Sequence, residues 1–353
     1  MEKIDILNFD YDELVNELSG LNLKKFVISQ IYDWLHNKLE FNFDNFSNIK
    51  KEIREILKEK YMINDFKFIT KQESADKMTS KYLFKVNEKH LLESVLITHN
   101  NRKTLCVSSQ VGCPLKCDFC ATGTMRFEKN LTASEIIQQF YHIQKELKKN
   151  GDKITNLVYM GMGEPFLNYD NVVKSINLLN SKYGQNISKR NFTISTSGLI
   201  NEIKKISENE KQIHLAISLH SVKQEIRDKL MPINKRYNLD ELRKALFEYQ
   251  KHTGNRITFE YILIDDMNID KTDAILLTKF LKGFNSHVNL IPYNPVTGKS
   301  YVTPSKIKQR EFFNYLKNNK INATLRETKG QDISAACGQL KVKKENQKNE
   351  KDN

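Results

Sequence analysis

Three closely spaced cysteines are the residues of this chain best suited to do chemistry. Cys113, Cys117 and Cys120 form a Cys-x-x-x-Cys-x-x-Cys pattern. Thiolates bind iron–sulfur clusters and zinc, and three thiolates on one loop can hold three irons of a 4Fe–4S cluster while the fourth iron stays open. The alternative is a zinc site with His142 or another histidine as the fourth ligand. Zinc ribbons normally pair two short cysteine units, and the sequence has no second unit, so the spacing favours the cluster.

The other two cysteines stand apart from this group. Cys106 lies seven residues before Cys113, and Cys337 is isolated near the carboxyl end. A thiolate is a good nucleophile, so both are candidates for chemistry at sulfur. From position alone, Cys106 is more typical of a small buried side chain than of a reactive thiol, and Cys337 is more typical of an idle thiol.

Small and polar residues also follow four apolar segments that have the composition of buried strands. Glycines such as Gly163 allow backbone to approach a ligand closely, and Glu164 could accept hydrogen bonds from an ammonium group. One such end is often only a turn, but four together are not a packing pattern. The four are Gly161-Met-Gly163-Glu164-Pro165, Ser195-Thr-Ser-Gly198, Ser218-Leu219-His220-Ser221 and Pro292-Tyr-Asn294-Pro295.

The elements that would position these residues alternate between strand and helix after the cysteines. Thr132 and Glu135 form a capping box that opens a helix ending near Lys149. Such alternation indicates βαβ units and a parallel sheet, whose ligands bind beyond the carboxyl ends of the strands. Six or seven units favour an open or partial barrel over a closed one. The predicted strands cover 104–109, 156–161, 192–196, 213–218, 257–263, 287–293 and 322–327, and the predicted helices cover 132–149, 172–179, 200–206, 239–249, 272–281 and 306–316.

Two different patterns precede this core. Apolar residues at helical spacing predict a small helical module, and alternating segments at 79–86 and 90–99 predict antiparallel strands. The tail after Leu340 has no apolar face and should be disordered. The expected divisions are an N-terminal helical accessory domain (1–65), a β-strand connector (66–97), a partial-barrel core (98–334) and a segment with Cys337 and the basic tail (335–353).

The composition limits the class of protein. The 353 residues carry 56 Lys and Arg against 43 Asp and Glu, a net charge of +13. A chain this basic often binds nucleic acid, although abundant Lys, Asn and Ile, as in AT-rich genomes, explain part of the charge. The sequence has no apolar run of about eighteen residues and no basic–apolar leader, so we expect a cytoplasmic protein without a membrane partner. Five cysteines in such a chain do not indicate a disulfide framework.

The cysteine pattern, with Phe119 before its last member, resembles the radical S-adenosylmethionine (SAM) superfamily. That resemblance implies a 4Fe–4S cluster whose open iron binds SAM, and an electron from the cluster that breaks a carbon–sulfur bond to give a deoxyadenosyl radical. Seven motifs over about residues 90–340 further resemble, in their order, the RlmN type of adenine-C2 methyltransferase. They are SSQVGC (108–113), GMGEP (161–165), STSG (195–198), SLHS (218–221), LMPIN (230–234), PYNP (292–295) and AACGQL (335–340).

The resemblance implies an α/β fold, a radical SAM partial (βα)6 barrel with an N-terminal small helical module and a short antiparallel β extension. It also implies that Cys337 becomes S-methylcysteine from one SAM, loses a hydrogen to a radical from a second SAM, and adds to the RNA. Cys106 would release the product through a transient disulfide. Glu93 would be a proton acceptor, although the residues alone favour a solvent-facing position for it. Whether Glu93 or Cys106 takes the C2 proton stays open. The implied cluster ligands are Cys113, Cys117 and Cys120, and the implied SAM contacts are Gly163, Glu164, Ser195, Ser218, Leu219, His220 and Asn294.

Four positions separate this chain from the sister Cfr type, which methylates C8 of the same adenine. That type usually has Cys at Val111, no equivalent of Pro165, Ile at Ser197 and Arg at Pro292. Tyr293 stands where many C2 enzymes carry Trp, and it keeps an aromatic ring. The alternatives are a C8-specific enzyme or a metal-stapled RNA-binding protein without activity. The second alternative explains the charge and the clustered cysteines, but not the polar strand ends or the isolated cysteine.

The resemblance implies two RNA substrates. They are the peptidyl-transferase adenine of 23S rRNA (adenine-2503 type) and an adenine 3′ to some tRNA anticodons (adenine-37 type). Because C2 lies inside any stacked base, the enzyme must receive an exposed or flipped adenine. An electron donor such as flavodoxin or ferredoxin would feed the cluster, and we expect a monomer. The candidate phosphate contacts are Lys24, Lys25, Lys148, Lys149, Lys189, Arg190, Lys341, Lys343 and Lys344.

Overall fold

The computed structural model describes residues 3–64, 66–327 and 329–340. The helices are α1 (Tyr11–Ser19), α2 (Lys25–His36), α3 (Lys51–Lys60), α4 (Ala133–Lys148), α5 (Tyr169–Asn180), α6 (Ile200–Asn209), α7 (Gln224–Leu230), α8 (Leu239–Thr253), α9 (Lys271–Leu281) and α10 (Lys306–Asn318). The strands are β1 (Ile4–Asp5), β2 (Tyr61–Met62), β3 (Phe66–Glu73), β4 (Thr79–Val86), β5 (His90–His99), β6 (Arg102–Val107), β7 (Gln110–Val111), β8 (Lys129–Asn130), β9 (Asn156–Tyr159), β10 (Phe192–Thr196), β11 (His214–Ser218), β12 (Ile257–Leu263), β13 (Ser286–Pro292) and β14 (Ala323–Leu325).

Side-chain caps set where several helices begin. The Thr132 hydroxyl accepts from the backbone N–H of Glu135 at 3.2 Å, and the Glu135 carboxylate accepts from the backbone N–H of Thr132 at 2.9 Å. The predicted capping box of α4 is therefore confirmed. Asp10 and Glu13 form the same reciprocal pair at the start of α1. Each pair satisfies N–H groups that the first helical turn leaves without a partner.

The main sheet joins a parallel part to an antiparallel part. Its ten strands lie in the order β14-β13-β12-β11-β10-β9-β6-β5-β4-β3. The strands β6 and β9 to β14 pair in parallel, and β3 to β6 pair antiparallel. A helix lies between each two consecutive parallel strands along the chain, as βαβ crossovers require. Six such crossovers in an open sheet agree with the predicted partial (βα)6 barrel, and the antiparallel extension continues the same sheet.

The helices α1 to α3 form a module that packs against this core. Its two ends are joined because β1 and β2 pair in parallel, with Ile4 opposite Tyr61. His36 of α2 and Tyr141 of α4 share a hydrogen bond of 2.6 Å between Nδ1 and the hydroxyl. Burial lowers the pKa of His36 to about 3, so this ring is neutral. The module agrees with the predicted N-terminal helical module.

Two elements do not follow from the sequence patterns. β3 is exposed along most of its length because it lies at the edge of the sheet, so it lacks an alternating apolar face. α7 has seven residues, which is too short for a helical apolar pattern to be recognised. The predicted strands at 79–86 and 90–99 coincide with β4 and β5.

The predicted disordered tail after Leu340, which contains Lys341, Lys343 and Lys344, lies outside the described residues. In the part of the chain that the structure describes, no helix combines the length and the apolar character needed to span a bilayer.

Candidate active site

A cavity opens at the carboxyl ends of the parallel strands. The cysteines Cys113, Cys117 and Cys120 line it together with Cys337 from the far end of the chain. The residues that line the same cavity among the predicted SAM contacts are Gly163, Glu164, Ser195, Ser218 and His220. The tertiary structure thus brings the loop cysteines, the strand ends and the isolated cysteine to one place.

The loop that carries the three cysteines is tightly turned. The backbone N–H of Cys120 donates to the carbonyl oxygen of Cys117 at 3.2 Å, and that of Asp118 donates to the carbonyl oxygen of Leu230 at 2.9 Å. A Cβ atom at Gly123 would lie 2.6 Å from the carbonyl oxygen of Cys117. The loop therefore closes on itself without room for a larger residue at that position.

The three thiols fit an iron–sulfur cofactor. Burial raises the pKa of Cys113 to about 12, that of Cys120 above its usual range, and that of Cys117 well above it. These sulfurs need a bound cation to replace their protons. A 4Fe–4S cluster places each thiolate on its own iron, so the sulfurs need not converge on one point. Within the described ranges, no three His, Cys, Asp or Glu side chains are grouped to hold a single metal ion.

His142 lies elsewhere and does not join these cysteines. Its ring centroid is 5.3 Å from that of Phe66 and 5.8 Å from that of Phe84. Burial among these rings lowers the pKa of His142 to about 4. It is not among the residues that line the cysteine cavity, so the structure does not support the alternative of a zinc site with His142.

Glu164 is buried at the cavity wall and held by hydrogen bonds. Its Oε2 accepts from both the backbone N–H and the hydroxyl of Ser197 at 2.9 Å. Burial raises the pKa of Glu164, and the bonds from Ser197 oppose this effect. Gly163 has a φ of +100°, and a Cβ atom there would lie 2.5 Å from the Cβ of Gln110. Glycine is therefore needed here for its positive φ and for the close packing of Gln110, and the predicted approach to a ligand stays a prediction.

A second buried carboxylate that lines the cavity is Glu260. The hydroxyl of Ser195 donates to Oε2 of Glu260 at 3.0 Å. The backbone N–H groups of Leu219 and His220 donate to the carbonyl oxygen of Glu260 at 3.0 and 3.2 Å. Nδ1 of His220 accepts from the backbone N–H of Ile262 at 3.1 Å, and burial lowers the pKa of His220 to about 3. The imidazole is therefore neutral and carries its proton on Nε2.

Cys337 reaches the cavity because its segment is bound on two sides. The side-chain amide of Asn294 donates to the carbonyl oxygen of Cys337 at 3.1 Å. The backbone N–H of Ala121, directly after Cys120, donates to the carbonyl oxygen of Gly338 at 2.7 Å. The loop of the three cysteines therefore also holds the segment of the isolated one. Cys337 is itself exposed.

Cys106 and Glu93 project from the same face of the sheet. Val95 on β5 lies opposite Cys106 on β6, and Glu93 is two residues from Val95, so all three side chains point the same way. Ser94 points to the other face, where its hydroxyl donates to Gln139 of α4 at 2.7 Å. Neither Cys106 nor Glu93 is among the residues that line the cavity.

Both of these residues are buried. Glu93 is 5% exposed, and Nζ of Lys81 on β4 lies 3.2 Å from its Oε1. It is therefore not the solvent-facing residue that its strand alone would suggest. Burial raises the pKa of Cys106 to about 12, the charge of Cys337 acts in the same direction, and Arg326 opposes it. The two sulfurs thus influence each other electrostatically, although all five cysteines are free thiols and the transient disulfide stays a prediction.

Two charged residues of the site were not predicted. Glu260 lines the cavity, and Nη1 of Arg326 lies 3.7 Å from Sγ of Cys337. Glu260 is the one charged residue of its strand, ITFEYIL (257–263), which is a usable signal. Arg326 directly follows β14, and nothing in its local sequence marks it.

Family models match two parts of the chain. Residues 107–278 match the model of the Radical SAM superfamily. Residues 4–63 match the model of the ribosomal RNA large subunit methyltransferase N-terminal domain. The first match covers the parallel core from the end of β6 into α9, and the second covers the helical module.

Relatives and a solved structure match nearly the whole chain. A protein of Fervidobacterium nodosum named probable dual-specificity RNA methyltransferase RlmN is 44% identical, over 96% of this chain and 97% of its own length. A protein of Thermotoga maritima with the same name is 44% identical, over 96% and 98%. The crystal structure of a radical SAM methyltransferase from Sphaerobacter thermophilus has a TM-score of 0.93 at 36% identity, and the match covers 96% of this chain and all of that one.

These matches decide between the alternatives. The radical SAM superfamily implies a 4Fe–4S cluster and SAM as cofactors, so the predictions of both cofactors and of an enzyme are confirmed. A metal-stapled RNA-binding protein without activity is excluded. Identity of 44% over nearly the full length of both chains shows that this chain belongs to the RlmN family of radical SAM methyltransferases.

Proposed function

We propose that the enzyme methylates C2 of an adenine in 23S rRNA and in tRNA, at the adenine-2503 and adenine-37 types of position. The reaction uses two SAM molecules per turnover and passes through S-methylcysteine at Cys337. The observation that carries the proposal is that Cys337 lines one cavity with Cys113, Cys117 and Cys120. The names of the relatives, dual-specificity RNA methyltransferases, support two RNA substrates.

A cysteine is needed because C2 of adenine is an electron-poor carbon. It is not a nucleophile, so it cannot displace a methyl group from a sulfonium donor directly. A thiolate can do so, and the methylated sulfur then carries the carbon that adds to C2. Cys337 is suited to this role because it is exposed at the cavity.

Different residues of the site would bind different parts of the cofactors. When bound, the cluster and SAM supply a transferable methyl group and one-electron chemistry for hydrogen abstraction. The three loop cysteines hold three irons. Glu164 offers a buried carboxylate to a cationic amino group, and Ser197 keeps it oriented. His220 offers a neutral Nε2–H donor, and Asn294 holds the backbone of Cys337.

Release of the product depends on Cys106 and Glu93. Once the carbon of Cys337 has bonded to C2, the adduct must lose the C2 proton and its unpaired electron, which the one-electron cofactor would take up. The Cys106 thiolate then attacks the Cys337 sulfur and forms a disulfide, and the electron pair of the broken carbon–sulfur bond stays on the carbon, which takes a proton to become the methyl group. A cellular dithiol later reduces the disulfide. The C2 proton passes to Glu93 or to Cys106. Their common face of the sheet supports both acceptors, and Lys81 fixes the orientation of Glu93.

The helical module and the basic surface grip the RNA. Lys24 and Lys25 are exposed at the start of α2, and Phe26 beside them is 70% exposed. Basic and aromatic groups together suit phosphates and unstacked bases. Lys148 donates to a backbone carbonyl of the helical module at 2.9 Å, and Lys189 pairs with a buried glutamate at 2.7 Å. These two lysines act within the protein, so Lys24 and Lys25 are the better candidates.

Nucleoside mass spectrometry of a strain that lacks the gene tests the proposal. We expect 2-methyladenosine to disappear from both 23S rRNA and tRNA, and to return with the wild-type gene but not with Cys337→Ala. Loss of 8-methyladenosine instead would identify the C8 type of enzyme. Loss from rRNA alone would contradict the dual specificity.

A further inference from the structure

Arg326 contacts the sulfur that the proposed reaction methylates. Its Nη1 lies 3.7 Å from Sγ of Cys337. The backbone N–H of Arg326 donates to the carbonyl oxygen of Leu290 on β13 at 2.9 Å, so the side chain extends from a fixed point beside the sheet. A guanidinium at this distance favours the thiolate over the thiol.

Glu260 acts on the Cys337 sulfur in the opposite direction, because its carboxylate disfavours the thiolate that Arg326 favours. It is 7% exposed and accepts a hydrogen bond from Ser195 at 3.0 Å. Cys337 is exposed at the cavity, but the protein around its sulfur still desolvates the thiol and raises its pKa. Arg326 opposes this effect, whereas Glu260 and Cys120 add to it. Arg326 likewise opposes the rise that burial causes in the pKa of Glu260. Cys337 and Glu260 therefore compete for one guanidinium.

Methyl transfer removes the negative charge of the Cys337 thiolate and leaves the negative charge of Glu260. The thiol proton leaves to solvent, the Cys337 thiolate forms a bond to the methyl carbon, and the bond from that carbon to the sulfonium sulfur breaks with its electron pair on the departing sulfur. Both sulfurs are then neutral. The ionic attraction between Arg326 and Cys337 ends at this step, whereas the attraction between Arg326 and Glu260 remains.

We propose that Arg326 activates Cys337 for methylation by stabilising the thiolate form of its sulfur, and that Glu260 still balances the charge of Arg326 once the sulfur is methylated. The inference rests on the proposed function, because it treats Cys337 as the methyl acceptor. It adds a residue that touches the reacting atom and a carboxylate that balances its charge.

Alkylation of Cys337 by iodoacetamide measures its thiolate without SAM or RNA. The rate is followed in the holoenzyme by peptide mass spectrometry of the unmethylated fraction, from about pH 6 to about pH 10. We expect Arg326→Gln to slow the reaction about tenfold near neutral pH and to move the profile up by about one pKa unit. Glu260→Gln should speed the reaction. Arg326→Lys keeps the charge and should recover most of the rate.

The control is Arg310→Gln, the same substitution at an exposed residue of α10, which should leave the profile unchanged. A general loosening of the site would change the alkylation rate in the same direction in Arg326→Gln and Glu260→Gln. A slower rate in the first variant and a faster rate in the second would therefore indicate an electrostatic effect. An unchanged profile in Arg326→Gln, or equal signs, would overturn the inference.

The two proposals fail in different ways. A Cys337 that stays unmethylated after incubation with SAM, while its alkylation depends on Arg326, would overturn the proposed function and leave only the electrostatic effect of Arg326 on the sulfur. A methylated Cys337 whose alkylation does not depend on Arg326 would overturn only the role of Arg326.

Discussion

Asn294 at the end of β13 donates a hydrogen bond from its side chain to the carbonyl oxygen of Cys337 at 3.1 Å. The Oδ1 atom of the same side chain accepts from Gln331 at 2.8 Å. Asn294 is 2% exposed, whereas Cys337 and Gln331 are exposed, so both bonds are partly buried. A strand end thus fixes the backbone of a residue that comes from the last part of the chain.

Removal of this side chain should loosen Cys337 without disturbing the cluster. A hydrogen bond of this kind contributes about 1 kcal/mol and Asn294 makes two, so we expect Asn294→Ala to lower single-turnover RNA methylation about tenfold. Iron content should be unchanged. Asn319→Ala is the control, since Asn319 binds only within the exposed end of α10. Loss of iron in Asn294→Ala would contradict the assigned role.

The second prediction concerns the isolated cysteine. Cys337→Ala should abolish methyl transfer to RNA, because the chain then lacks the sulfur that takes the methyl group from SAM and presents its carbon to adenine C2. The variant should retain about four irons per chain and the reductive cleavage of SAM, since the cluster ligands lie on another segment. Iron and sulfide analysis with a SAM cleavage assay checks this. A variant without iron would show that Cys337 is a cluster ligand.

The third prediction concerns Cys106. Without a resolving thiol, the bond between Cys337 and the RNA persists, so Cys106→Ala should accumulate a covalent protein–RNA adduct. A denaturing gel with labelled tRNA detects this species. The double variant Cys106→Ala/Cys337→Ala is the control and should form none. Normal multiple turnover in Cys106→Ala would contradict the resolving role.

The fourth prediction concerns the close backbone approach at Gly163. An added methyl group would lie 2.5 Å from the Gln110 side chain at a φ of +100°. We expect Gly163→Ala to weaken SAM binding at least about tenfold, as measured by equilibrium dialysis. Gly298→Ala is matched in conformation, with a φ of +83° and nothing within 4 Å of the added atom. Equal affinities in the two variants would mean that the contact at Gly163 does not matter.

The fifth prediction is a pH dependence of stability. Burial raises the pKa of Asp5 from 3.8 to about 6. Between these values the folded chain binds more protons than the unfolded chain, so this contribution to stability is present below about pH 4 and is lost by about pH 6. A shift of about two units corresponds to about 3 kcal/mol.

Asp5→Asn should remove this loss, so the variant should become more stable than the wild type as pH rises from about 4 to about 7. Urea unfolding at each pH gives the free energies. Asp12→Asn, at an exposed position of α1, is the control and should follow the wild type. The same dependence of the unfolding free energy on pH in the wild type and in Asp5→Asn would contradict the prediction.

Local sequence was sufficient for the cluster loop and for most of the sheet. Cys113, Cys117 and Cys120 are within eight residues of one another, so no fold could separate them widely. The strand ends at Glu164 and Ser195 were predictable because parallel strands of alternating βαβ units must end at the same edge. Strands and helices were predicted from the periodic spacing of apolar residues, which is a local property of the sequence. The edge strand β3 lacks this signal because most of its residues are exposed.

Only the tertiary structure decided which distant residues complete the site. Asn294 binds the backbone of Cys337, and Ala121 of the cysteine loop binds the neighbouring Gly338. Arg326, directly after β14, contacts the Cys337 sulfur, and Glu260 of β12 acts on that sulfur electrostatically. No spacing along the chain encodes these contacts. They depend on sheet register and on the packing of a loop against it, which arise from the whole chain together.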